Sequence, residues 1–175
     1  RRLELALKAA DRVLSRMRMG GLIEMLTTNT LMNAVEGGVK RLYPGEPVYY
    51  DELPKDFRRP SFTLECQKAE QSDVNIGLVR RSVTLLVTCY VEADATMQQP
   101  EALNQRQDTV MGLFAQGFFQ VEDRALTVQA TVDLGTRTCE VSAVFQWMDA
   151  RPGYQDPEAA DTPKMEHFAI ERTAL

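Results

Sequence analysis

The chain has 175 residues, of which 44% are hydrophobic and 26% are charged, and its formal net charge is −5. These values are typical of a folded soluble domain and exclude a disordered or collagen-like chain. The acidic balance argues against general binding of duplex nucleic acid, and no apolar run approaches the ~20 residues that span a bilayer.

Residues 1–24 differ from the rest of the chain in charge and pattern. Apolar side chains from Leu3 to Met17 recur at spacings of three and four, and bases outnumber acids six to three in residues 1–24. This pattern predicts an amphipathic helix that ends at Gly20-Gly21. Two interpretations stay open: a cloning-derived extension before Met25, or a native helical arm that docks on a neighbouring subunit.

A second helix is predicted after the N-cap candidates Thr27, Thr28 and Asn29, ending near Tyr43-Pro44. Residues 47–50 predict a short strand, and residues 51–60 a polar loop with two prolines. Strict alternation in residues 61–67 indicates a strand, and the polar residues 70–73 predict a turn. Residues 79–92 form the longest predicted strand, and residues 94–99 a polar crossover.

A third helix is predicted to begin at Pro100, a residue suited to the first helical turn. Its expected buried stripe comprises Leu103, Val110, Met111, Phe114 and Phe118. Residues 119–132 and 138–148 predict two strands joined as an antiparallel hairpin. Residues 151–175 read as a C-terminal loop and arm, in which Met165, Phe168 and Ile170 suit an edge strand or a docking segment.

The elements therefore follow the order α-β-β-β-α-β-β within residues 25–150, after the N-terminal helical arm. Consecutive strands with two helices predict an α+β fold: an antiparallel or mixed sheet with the helices packed on one face.

No recognised catalytic or metal-binding pattern is present. Three cysteines lie far apart without C-x₂-C spacing, and the one histidine is His167. The chain also lacks a P-loop, a G-x-G-x-x-G and a G-x-S-x-G motif. We therefore expect no metal, no cofactor and no enzymatic activity.

Several segments together resemble a known family. These are MLTTNTLMNAVEGGVKRLYPGEPVYYDELP, RPSFTLEC, RRSVTLLVTCYVEAD, NQRQDTVMGLF and VSAVFQWMDARPGY, in this order between Met25 and Ile170. The pattern is similar to the tail terminator family of phages and prophages of Gram-positive bacteria. Residues 1–24 fall outside the resemblance.

The resemblance implies a structural role. Tail terminators form a ring, here expected to be a hexamer, on the head-proximal end of the tail tube, where the ring stops tube polymerisation and presents the surface for head joining. Expected partners are other copies of the chain, the tail tube protein and the head connector or neck protein, with DNA passing through the ring without sequence-specific binding. The expected location is the host cytoplasm during assembly and then the virion tail, with no membrane contact.

Two alternatives stay open: another head–tail connector or neck subunit, and a small ligand-binding α+β module. The loop of residues 51–60, the crossover and the C-terminal segment are the expected contact regions. The candidate interface residues are Tyr49, Tyr50, Arg58, Arg59, Met97 and Tyr154.

Overall fold

In a computed structural model of the chain, the structure describes residues 25–92, 100–135 and 138–154. The helices are α1 (Thr28–Leu42) and α2 (Pro100–Gly112). The strands are β1 (Val48–Tyr50), β2 (Ser61–Asp73), β3 (Leu78–Tyr90), β4 (Phe118–Val121), β5 (Arg124–Leu134) and β6 (Thr138–Ala150). The predicted N-terminal arm, the crossover at residues 94–99 and the segment from residue 155 onward lie outside the described residues.

The six strands form one mixed sheet in the order β1-β2-β3-β6-β5-β4. β1 pairs with β2 in parallel, and every other pair is antiparallel. The predicted α+β class is therefore confirmed. The β5–β6 hairpin is also confirmed, with Leu134 opposite Cys139 at its turn end.

One face of the sheet carries the core, and both helices pack on it. In β6 the residues with odd numbers from Cys139 to Trp147 are all buried, as the alternation predicts. Their cross-strand neighbours in β3 and β2, such as Cys89 and Phe62, are buried on the same face. Leu31 of α1 and Val110 of α2 join them in one apolar cluster. We call the opposite side of the sheet the outer face.

Local signals account for α1. Thr27 is its N-cap, and the hydroxyl oxygen of this residue accepts a hydrogen bond from the N–H of Thr30 at 3.1 Å. Lys40 and Arg41 lie in the last turn, where positive charge favours the carbonyl end of a helix. The helix gives way to a turn at Tyr43, close to the predicted end.

The predicted single strand over residues 119–132 was wrong. It is two strands, β4 and β5, joined by a two-residue turn at Glu122 and Asp123, so the order is α-β-β-β-α-β-β-β. Glu122 has a φ of 54°, a conformation in which glycine or asparagine is usually found. Because this position holds a glutamate, residues 122–123 carry no turn signal. Phe118 begins β4 with 47% of its surface exposed, so its predicted burial on α2 was also wrong.

The polar residues 70–73, predicted as a turn, instead continue β2 to Asp73. They pair in register with β3, from Glu70 opposite Ser82 to Asp73 opposite Val79. The turn lies at residues 74–77. β3 pairs with β6 along its whole length, so it forms a complete strand as far as Leu78. Its other edge therefore offers backbone hydrogen-bond partners to β2 as far as Asp73, although the polar sequence of β2 does not indicate a strand there.

Candidate interaction surfaces

Three of the candidate interface residues meet at one end of the sheet, on its outer face. The hydroxyl oxygen of Tyr49 accepts a hydrogen bond from the backbone N–H of Arg58 at 3.1 Å. The Arg59 guanidinium lies 4.9 Å from the ring centroid of Phe57 and 5.4 Å from that of Tyr90, and the two rings contact each other at 64°. These contacts hold the loop of residues 51–60 against the sheet. We call the group formed by Tyr49, Phe57, Arg58, Arg59 and Tyr90 the loop end.

Arg58 is the exposed cation of the loop end. Its side chain makes no ion pair among the described parts of the chain, whereas Arg59 is half-buried on the two aromatic rings. Arg58 is therefore free to meet an acidic group of another molecule.

Tyr50 points to the opposite side of β1, so the structure does not bring it together with Tyr49. Its hydroxyl donates to the Glu36 carboxylate of α1, which also pairs with Lys40 at 2.5 Å. Partial burial and the Glu36 carboxylate raise the pKa of Tyr50 to about 12. The hydrogen bonds from Lys40 and Tyr50 in turn lower the pKa of Glu36. Tyr50 thus ties β1 to α1.

Tyr154 lies at the other end of the sheet, where the β2–β3 turn meets the end of β6. Its ring contacts Gly77 so closely that a Cβ on that residue would lie 2.9 Å from Tyr154 Cε1. Across the 13 residues of β3, at about 3.3 Å per residue, the two ends are roughly 40 Å apart. Met97, the remaining candidate, lies outside the described residues.

Exposed apolar residues lie at the same end of the sheet as Tyr154. Ile76 is 75% exposed and Met148 is 53% exposed. We call this group the tip patch, and its members are Val74, Ile76, Leu78, Met148 and Tyr154. Sequence reasoning named only Tyr154. The alternation of β6 could have identified Met148, because this residue follows the core-facing Trp147 and so points to the outer face.

A cleft of about 340 Å³ lies beside α2. Its lining residues are Tyr43, Pro60, Val91, Glu92, Ala102, Gln105 and Arg106. The cation in this cleft, Arg106, already forms an ion pair with Glu46, so its charge is balanced within the chain. Within the described ranges, no three His, Cys, Asp or Glu side chains are placed to hold a metal ion. In that same part of the chain, no helix is long and apolar enough to cross a membrane.

Comparison with known proteins decides the family. Residues 30–138, from α1 to the first residue of β6, match the family described as phage tail terminator protein. The chain belongs to the phage tail terminator family.

Tail terminators are structural proteins of the phage tail, so a structural role in a tail follows for this chain. The predicted resemblance is confirmed over 30–138, whereas a Gram-positive host stays a prediction. No curated protein matches the sequence. One solved structure without a functional name matches 75% of this chain and 100% of its own at 13% identity, with a TM-score of 0.35, which is too remote to inform fold or function.

Proposed function

We propose that this tail terminator assembles as a ring, with six subunits expected, on the head-proximal end of the tail tube. There it stops polymerisation of the tube and presents the surface to which the head joins. The observation that carries the proposal is the family match, which spans α1 through the start of β6 and so includes both helices and five of the six strands. The partners are the tail tube protein and the head connector or neck protein. Assembly takes place in the host cytoplasm.

A closed ring requires two different surfaces on each subunit, because neighbours contact each other head to tail. The loop end and the tip patch meet this requirement, since they lie at opposite ends of the sheet. We propose that the loop end of one subunit contacts the tip patch of the next. Ile76 and Met148 would supply the apolar centre of that contact.

Charge supports the same pairing. Arg58 is an exposed cation at the loop end, while Asp123 is exposed in the β4–β5 turn. That turn lies at the tip end of the sheet, because Arg124 beside it pairs with Asp149 near the end of β6. An Arg58–Asp123 contact between subunits would orient neighbours more than it would add affinity.

Native mass spectrometry tests the ring directly, over a concentration series and with tail tube protein added. We expect a closed oligomer in at least one condition. Ile76→Ser with Met148→Ser should weaken the ring by tenfold or more in dissociation constant, or about 1.4 kcal/mol. Leu42→Ser is the matched control, because Leu42 is 39% exposed but lies at the end of α1. Equal effects of the two changes would contradict the tip patch as the subunit contact.

Charge reversal tests the orientation. Arg58→Glu should weaken the ring, and Asp123→Arg in the same chain should restore it. Lys55→Glu, in the same loop, is the matched control. A double variant whose ring is as weak as that of Arg58→Glu alone would contradict the proposed contact.

Tube length separates the terminator from the two alternatives. Tail tube protein polymerised with this chain should give short tubes capped at one end in electron micrographs, and the capped tubes should bind heads. A neck subunit would join heads and leave tube length unchanged. A small ligand-binding module, the remaining alternative, would change neither. Unchanged tube length would therefore overturn the proposed function.

A further inference from the structure

Strand β2 is paired along only part of its outer edge. β1 covers Phe62 to Leu64, whereas no strand in the described part of the chain pairs with that edge from Glu65 to Asp73. Alternate residues of a strand direct their N–H and C=O groups to each side, so this stretch presents a row of unpaired backbone groups. Such an edge is a template for one more strand.

The chain leaves β6 beside the end of this edge. Arg151 donates its backbone N–H to Gly77 O at 2.8 Å, and its guanidinium donates to Asp73 Oδ1 at 2.9 Å and to the carbonyl oxygens of Asn75 and Ile76. The ring of Tyr154 then lies against Gly77. Residues 151–154 are thereby held across the β2–β3 turn, so the residues that follow begin close to Asp73.

We propose that residues 164–172 add to the free edge of β2 in their own chain, antiparallel to β2. The nine residues KMEHFAIER equal in number the nine residues from Glu65 to Asp73. Residues 155–163 connect them to Tyr154 and can span up to ~30 Å, far more than is needed to round a four-residue turn. This inference does not depend on the proposed function.

Charge and size complementarity favour one register. With Lys164 opposite Asp73, opposite charges meet at the end of the edge nearest Tyr154, and this register holds as far as Lys68, where the pairing of β2 with β3 shifts. Phe168 falls opposite Ala69, whose small side chain leaves room for a ring. Because Ala69 pairs with the buried Val83, Phe168 would extend the core face of the sheet.

Hydrogen–deuterium exchange tests the added strand. In the full chain, the amides of residues 65–73 that point away from β3 should be protected, and in a chain ending at Tyr154 they should exchange about 10-fold faster or more. Phe168→Asp with Ile170→Asp in the full chain should have the same effect without truncation. Ala159→Asp with Ala160→Asp adds the same charge within the connection and is the matched control, which should keep the protection.

Two outcomes would overturn the inference. Equal exchange of residues 65–73 in the full and shortened chains would show that the edge is not covered by this segment. Protection that grows with protein concentration would assign the strand to a neighbouring copy instead. Amides of β6, which pair on both sides within the sheet, serve as the internal reference for global unfolding.

Discussion

Arg106 of α2 and Glu46, which precedes β1, form a bidentate ion pair, although they are 60 positions apart in the sequence. The guanidinium donates from Nη1 to Oε1 at 3.3 Å and from Nη2 to Oε2. Its planar group also lies 4.5 Å from the ring centroids of both Tyr43 and Phe62. The pair therefore links α2 to the sheet through charge and aromatic contact together.

Arg106→Ala should lower the free energy of unfolding by about 3 kcal/mol, because Glu46 would stay partly buried without its cation. Arg106→Lys should recover only part of that loss, since an ammonium group cannot make two parallel hydrogen bonds. Urea unfolding measures both. Lys40→Ala, which breaks the exposed pair with Glu36, is the control and should cost about 0.5 kcal/mol or less. Equal costs at the two sites would contradict the structural role of Arg106.

Asp149 is buried near the end of β6, where Trp147 Nε1 donates to it at 2.7 Å and Arg124 pairs with it. Asp149→Ala should destabilise the protein by about 3 kcal/mol, because the indole N–H of Trp147 loses its acceptor and the buried ion pair with Arg124 is removed. Met148→Ser, at the exposed neighbouring position, should change stability by about 0.5 kcal/mol or less. Thermal unfolding monitored by fluorescence of Trp147 measures both variants. A mild effect of Asp149→Ala would contradict the buried network.

The Tyr50–Glu36 contact should make stability depend on alkaline pH. The pKa of Tyr50 is about 12 in the folded state, above its ordinary value of 10.0, so the folded state holds this proton more tightly than the unfolded state. The resulting stability is fully present below pH 10 and is lost as the pH rises through about 12. Urea midpoints of the protein and of Tyr50→Phe should therefore converge over that window. A constant difference would contradict the contact, and Tyr49→Phe is the control.

The three cysteines should differ in reactivity. Cys66 is partly exposed, and burial raises the pKa of its thiol, whereas Cys89 and Cys139 face each other across β3 and β6 in the core. The contact with Cys139 and burial also raise the pKa of Cys89. A disulfide reagent should therefore label one thiol slowly in the folded protein and three in denaturant. Cys66→Ser should abolish the native reaction; labelling of two or more thiols would contradict the burial.

Periodicity predicted the elements whose residues carry their own signals. The alternation from Cys139 to Trp147 placed a strand and its buried face, and Thr27 with Tyr43-Pro44 bounded α1. The candidate surfaces were harder to predict from the sequence than the elements. Tyr49, Arg58 and Arg59 lie close together in the chain and meet, but Tyr50 turns to the helix face because side chains alternate along β1.

The sequence by itself determined the α+β class, the core-facing residues of the central strands and the resemblance to tail terminators, because these depend on short-range spacing and on residue pattern. Tertiary structure alone decided the continuation of β2 through its polar residues, the turn at Glu122 and the exposure of Phe118. It also decided the pairing of Arg106 with Glu46. Each of these depends on partners far away in the chain, whose backbone hydrogen bonds, burial and charge outweigh the local preference of the residues concerned.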